Sequence, residues 1–189
     1  MNIGLYFGSF NPIHHGHLII ANHIVQETDL DQVWFVISPQ NPFKQNHTLL
    51  NEYHRLHLVN LAIEGEKALK ATDIEFGLPK PSYTINTLQY LEEKYPQHRF
   101  GIIMGSDSFQ NIDKWRNADV LMKRYSIYVY VRPGFDVRQD LPANKIELNA
   151  PLLQISATHI REMLKQGRSI RYLVPDRVME EIASNGYYR

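Results

Sequence analysis

His14 and His17 stand three residues apart in the stretch Gly8-Ser9-Phe10-Asn11-Pro12-Ile13-His14-His15-Gly16-His17. The apolar run Ile3 to Phe7 before them reads as a buried strand, and the periodic apolar residues after them read as a helix. A strand that turns through glycine into a helix leaves backbone N–H groups unpaired at the helix N-terminus, and these form an anion site. Histidines at the same turn can meet a phosphate by hydrogen bonds or by positive charge. Phosphate handling is the chemistry implied. Zinc is the rival use of the pair, but no third ligand stands nearby at matching spacing, so no metal is assigned to it. His15, His23, His47, His54, His57, His98 and His159 read as ordinary surface or packing histidines.

The surrounding chain must position that turn. Leu18, Ile19, Ile20, Ala21, Ile24 and Val25 give one broad apolar helical face, and Val33 to Ile37 is a fully apolar strand. Strand, helix and strand in so short a span predict a right-handed parallel crossover. Pro39 and Pro42 then open a loop carrying Lys44. Leu56, Val59 and Ile63 predict a helix over Asn51 to Glu64, and Ala71 to Phe76 reads as a further strand. Ser82 is placed to cap a helix running to Tyr95, stopped by Pro96. The apolar strand Phe100 to Met104 ends in Gly105-Ser106-Asp107, and a broken helical stretch passes Trp115 and Arg116 to reach Lys123. Strands Ser126 to Val131 and Lys145 to Leu148 flank a surface loop, Phe135 to Asn144. Helices are expected from Ile155 through Leu164 and between Pro175 and Gly186.

Alternating strands and helices predict an α/β fold, Rossmann-like and doubly wound, with a mostly parallel sheet and helices on both faces. No linker or repeat interrupts it, so residues 1–189 read as one domain, with a helical part from about 155 to 189 completing the site. Gly8, the Pro39 to Lys44 loop, Gly105 to Asp107 and Ser156 all follow expected strands. They therefore share the carboxyl rim, where such sheets bind ligands.

Composition limits the alternatives. The 189 residues include 20 basic and 20 acidic side chains, so no global field draws nucleic acid. There is no cysteine, which removes disulfides, thiolate metal sites and cysteine nucleophiles. No apolar run approaches membrane-spanning length and no secretion signal is seen, so a cytoplasmic protein is expected.

Two segments carry a resemblance. Gly8 to Pro12 with His14-His15-Gly16-His17, and Ile155-Ser156-Ala157-Thr158-His159-Ile160-Arg161, resemble the two signatures of the nucleotidylyltransferase superfamily. Pro81-Ser82-Tyr83-Thr84-Ile85-Asn86-Thr87-Leu88, Gly105-Ser106-Asp107, Trp115 and the closing Gly186-Tyr187-Tyr188-Arg189 resemble its bacterial nicotinate mononucleotide adenylyltransferases, from Ile3 to Arg189. Ser9 and Asn11 stand where many members have Thr and Asp, and Phe43-Lys44 replaces the commoner His-Lys.

The resemblance implies transfer of the adenylyl group of ATP to nicotinate mononucleotide, with nicotinamide mononucleotide, dual specificity or a non-catalytic nucleotide sensor as alternatives. It implies ATP contacts at Gly8, Ser9, Phe10, His14, Gly16, His17, Gly105, Asp107, Ile155, Ser156, Thr158 and Arg161. Asp107 would accept the ribose hydroxyls, while His14, His17, Lys44 and Arg161 would hold the reacting phosphates. The mononucleotide would meet Asn11, Lys44, Tyr83, Thr84, Trp115 and Arg116, with Trp115 stacking on the ring. Mg²⁺ would arrive with ATP, without a protein cage. The partners implied are these small molecules, with neither nucleic acid nor membrane, and self-association into a homo-oligomer is left open.

Overall fold

The computed structural model describes residues 1–39 and 49–189. Lys44, with Phe43 beside it, therefore lies outside the described residues. Six strands form one sheet: β1 (Asn2–Gly8), β2 (Gln32–Ile37), β3 (Leu69–Thr72), β4 (Arg99–Gly105), β5 (Ile127–Tyr130) and β6 (Lys145–Leu148). Their order is β3-β2-β1-β4-β5-β6, and every pairing is parallel. The expectation of a mostly parallel Rossmann-like sheet thus holds in a stricter form. Strand order reverses between β1 and β4, whose carboxyl ends are Gly8 and Gly105. A crevice at that reversal is the binding place such topology creates.

Alternation along the strands separates two cores. Tyr6, Phe35, Ile37, Ile103 and Tyr128 face one side. There they meet Ile20, Ala21 and Ile24 of α1 (His15–Glu27), Leu58 and Val59 of α2 (Glu52–Ala62), Ile160 of α6 (Ala157–Lys165), and Val178 and Ile182 of α7 (Asp176–Asn185). Leu5, Trp34, Val36, Ile102 and Val129 face the other. They meet Ile85, Leu88 and Leu91 of α3 (Thr84–Lys94), Phe109 of α4 (Ser106–Phe109), and Leu121 and Met122 of α5 (Ala118–Arg124). Fully burying one such side chain stabilises the fold by about 1.5–3 kcal/mol. Among the described residues no helix is long and apolar enough to cross a membrane.

Three local expectations are corrected. The strand expected over Ala71 to Phe76 ends at Thr72, and Ile74–Gly77 forms a 3₁₀ turn that carries Glu75 inward. Ser82 does not cap α3. Tyr83 holds that position, because the Ser82 hydroxyl donates to Glu75 instead. The face expected of α2 holds, with Val59 and Ile63 buried and Leu56 packed on the same core, and Arg55 and Leu58 are buried beside them. Within the loop Phe135 to Asn144, Val137 and Leu141 are buried against the second core. The helix over the C-terminal part runs between Pro175 and Gly186 as the two breakers predict.

Candidate active site

The turn after β1 is built around two aromatic rings and two imidazoles. Phe10 takes a left-handed φ of 44° and folds its ring over Gly8, where a Cβ would approach the ring within 2.8 Å. Phe10 and Tyr6 then meet the His17 ring edge-on, at centroid distances of 5.1 and 6.1 Å. His14 stacks on His17 at 3.7 Å, and a Cβ at Gly16 would press on the His14 ring at 3.0 Å. Glycine is needed at 8 and 16 so that these rings can close on the backbone.

The backbone N–H of His14 donates to Nδ1 of His17 at 3.3 Å. With Nδ1 accepting, the neutral His17 ring carries its proton on Nε2 and can donate it to a bound anion. Nδ1 of His14 is buried with no hydrogen-bond partner among the described residues. Burial, then the Arg132 guanidinium and His15, lowers the His14 pKa from 6.5 to about 4. Burial, then His14 and Arg132, also holds His17 well below its usual value. Both imidazoles are therefore neutral at pH 7 in the free protein. They meet phosphate first as hydrogen-bonding groups, and the positive-charge option belongs to the bound state, where an anion favours protonation.

The distant second segment closes on this turn. Arg161 Nη1 donates to the Asn11 carbonyl at 2.7 Å, and Nη2 meets Thr158 Oγ1 at 3.3 Å. Ser156 Oγ accepts from the His159 amide at 3.1 Å, capping α6. Ile155 is half-buried beside it, while Ser156 and Thr158 remain exposed on the same rim. The chain before α7 also reaches the turn, since the His15 amide donates to the Leu173 carbonyl at 3.0 Å. Asn11 Oδ1 accepts from the Leu50 amide at 3.1 Å, so this side chain links the turn to the chain entering α2.

At the end of β4, Asp107 accepts from Arg132 at 2.9 Å. The carboxylate expected to face ribose is thus held by a cation, Arg132, that the sequence did not single out. A Cβ at 105 would displace the Asp107 carboxylate from this position. Ser106 is buried, and its hydroxyl accepts from the Arg132 amide at 2.8 Å.

Tyr83, Thr84, Trp115 and Arg116 line one cleft of about 520 Å³ that opens between β1, the 3₁₀ turn and the N-terminus of α3. The Arg116 guanidinium lies over the Tyr83 ring at 4.7 Å. The first amides of α3 lack helical acceptors, and Thr84 is its first residue, so the cleft can receive a carboxylate. Its volume suits a flat aromatic ring with its sugar.

Arg55 was missed by sequence reading. It is fully buried and donates to the carbonyls of Leu50 (2.8 Å), Ser9 (2.6 Å), Ser38 (2.9 Å) and Pro39 (3.3 Å). An arginine inside an otherwise apolar helical stripe was the available signal. Glu75, also missed, is buried and accepts from Ser82 Oγ and Thr87 Oγ1, each at 2.8 Å.

A model of the cytidylyltransferase-like family matches residues 5–163. A protein of Cytophaga hutchinsonii, described as "probable nicotinate-nucleotide adenylyltransferase", is 52% identical over 100% of this chain and 98% of its own. One of Flavobacterium psychrophilum with the same description is 48% identical over the full length of both. This chain belongs to the nicotinate-nucleotide adenylyltransferase family. Its fold is shared with the Plasmodium falciparum nicotinic acid mononucleotide adenylyltransferase complexed with NaAD. That likeness has a TM-score of 0.83 at 22% identity and covers 99% of this chain and 97% of the other. Members of the family as distant as one from Bacteroides thetaiotaomicron keep 40% identity over 96% of the chain.

Proposed function

We propose that this protein transfers the adenylyl group of ATP to nicotinate mononucleotide, forming nicotinate adenine dinucleotide (deamido-NAD) and pyrophosphate in NAD biosynthesis. The reading rests on one observation above all: Arg161 reaches the Asn11 carbonyl, bringing the two signature segments to one rim of the sheet. Family membership and the relatives' descriptions point the same way.

A phosphate oxygen of the mononucleotide attacks the α-phosphorus of ATP in line. The new P–O bond forms as the bond to pyrophosphate breaks, and the electron pair leaves with pyrophosphate. No protein nucleophile is required. Orientation alone supplies about 7–11 kcal/mol of the barrier, and donors aimed at the developing charge supply more. His17 Nε2–H and His14 face the ATP phosphates, Arg161 approaches from another side, and Ser156 and Thr158 present the start of α6; the family resemblance adds Lys44 to the groups that hold these phosphates. Gly8, Ser9, Phe10 and Gly16 shape the turn. Gly105 and Asp107 take the adenosine end, with Arg132 orienting the Asp107 carboxylate. Asn11 stands between the two substrates, while Tyr83, Thr84, Trp115 and Arg116 hold the nicotinate end.

Among the described residues no group of three or more His, Asp or Glu side chains is arranged for a metal ion. Mg²⁺ would be carried on the triphosphate oxygens and water, where it would neutralise charge on the leaving pyrophosphate. The whole chain acts as one domain, in the cytoplasm where ATP is supplied.

Incubation with ATP and nicotinate mononucleotide tests the proposal, following pyrophosphate release and the dinucleotide product together. Both are expected in equal amounts. ATP binding without either product would instead support a nucleotide sensor.

A further inference from the structure

Glu75 is 2% exposed, yet it lines the cleft that also presents Tyr83, Thr84, Trp115 and Arg116. One carboxylate oxygen accepts from Ser82 and the other from Thr87. Among the described residues no Lys, Arg or His forms an ion pair with it. Burial pushes this carboxyl upward, while the hydroxyls of Ser82, Thr87 and Ser38 favour the ionised form. A buried acid served only by hydroxyls is an expensive way to pin a turn, since apolar side chains would pack there without loss. An unpaired buried carboxylate in a cleft wall points instead to a charge brought by the ligand.

We propose that Glu75 is a specificity-determining residue that supplies the counter-charge for a cationic aromatic ring in this cleft, the N-ribosyl pyridinium of the mononucleotide. The inference deepens the adenylyltransferase reading and rests on it. The nicotinate ring is a dipole: the glycosidic nitrogen is positive and the ring carboxylate negative. The cleft offers a partner of each sign. Thr84 at the N-terminus of α3 and Arg116 are its positive groups, and Glu75, hydrogen-bonded to Ser82 and Thr87 beside that same first turn, is its buried negative group. Lys114 also lines the cleft, with its Nζ tied to Asn111 Oδ1 at 2.9 Å, and the Tyr83 phenol sits beneath Arg116. These are the other charged and titratable side chains on the cleft wall among the described residues. Trp115 can bind a flat ring of either charge. Glu75 therefore selects for the cation, while the helix terminus selects for the carboxylate.

The test compares nicotinate mononucleotide with its C-nucleotide analogue, in which a neutral pyridine replaces the pyridinium. The wild-type protein is expected to bind the charged ring about tenfold more tightly; equal binding overturns the proposal without any variant being needed. Glu75→Gln preserves shape, and the hydroxyl that meets its amide nitrogen turns to accept instead of donate. It is expected to raise KM for nicotinate mononucleotide roughly tenfold, leave KM for ATP unchanged, and leave binding of the neutral analogue unchanged. Equal weakening of both ligands would show a merely structural role. Tighter binding of nicotinate mononucleotide would show that Glu75 opposes the carboxylate. Either outcome overturns the proposal. Wild-type turnover separates the two levels: failure to form dinucleotide sinks the adenylyltransferase reading and this one with it, whereas normal turnover without charge preference sinks this one alone.

Discussion

Arg161 donates a 2.7 Å hydrogen bond to the carbonyl of Asn11, 150 residues earlier in the chain. Nη1 is committed to that carbonyl, while Nη2 reaches Thr158 beside the start of α6. One guanidinium thus fixes the first turn against the second segment and keeps its charge on the rim. Arg161→Ala should lower kcat by about 10²-fold or more, the scale of losing one donor to transition-state charge. Arg161→Lys should recover only part, because an ammonium lacks the planar fork. Steady-state kinetics with thermal melts would check this, and unchanged kcat in the alanine variant would remove Arg161 from catalysis.

Acid sensitivity follows from His14. Its pKa falls from 6.5 to about 4 in the folded protein, so between these values the unfolded chain binds more protons. Stability from this residue is complete above about pH 6.5 and is lost as pH falls toward 4, roughly 3 kcal/mol in all. Melting temperature should decline over that window, and His14→Gln should flatten the decline. ATP binding near pH 5.5 should take up protons, since the triphosphate favours the imidazolium. Calorimetry in buffers of different ionisation enthalpy reads that uptake directly.

Arg55 anchors four carbonyls from three separate segments. Arg55→Met would leave them buried without their donor, at about 1–3 kcal/mol for each one water does not reach. The expected result is a loss of at least roughly 3 kcal/mol in urea unfolding. A change below about 0.5 kcal/mol would mean the carbonyls find other donors.

The elements around these residues were readable locally, because apolar periodicity and Pro and Gly breakers act over a few residues. The strand Lys145–Leu148 and the helix between Pro175 and Gly186 appear as those signals predict. The two histidines and Arg161 were readable as types and spacings. Arg55, Glu75 and Arg132 were not, since each earns its place through partners far along the chain. Arg55 was not singled out, because only the folded chain shows it buried beside Leu58 and Val59 with carbonyls of Ser9, Ser38, Pro39 and Leu50 as partners. Glu75 sat in a segment read as strand, where no local pattern announces a buried acid.

Selectivity for nicotinate is checked by comparing kcat/KM on nicotinate and nicotinamide mononucleotides. The cleft at Thr84 and Arg116 predicts a preference for the carboxylate of at least about tenfold. Trp115→Ala should raise KM for the mononucleotide more than it lowers kcat, since stacking holds ground state and transition state alike. A ratio near one in the wild-type protein would contradict carboxylate recognition.

The measurement closest to the central claim is kcat of His17→Ala with ATP and nicotinate mononucleotide, alongside its melting temperature. Removing the Nε2–H donor while the turn stays folded should lower kcat by roughly 10²–10³-fold. Near-normal turnover in a folded His17→Ala protein would contradict the assignment of this turn as the adenylyl-transfer site.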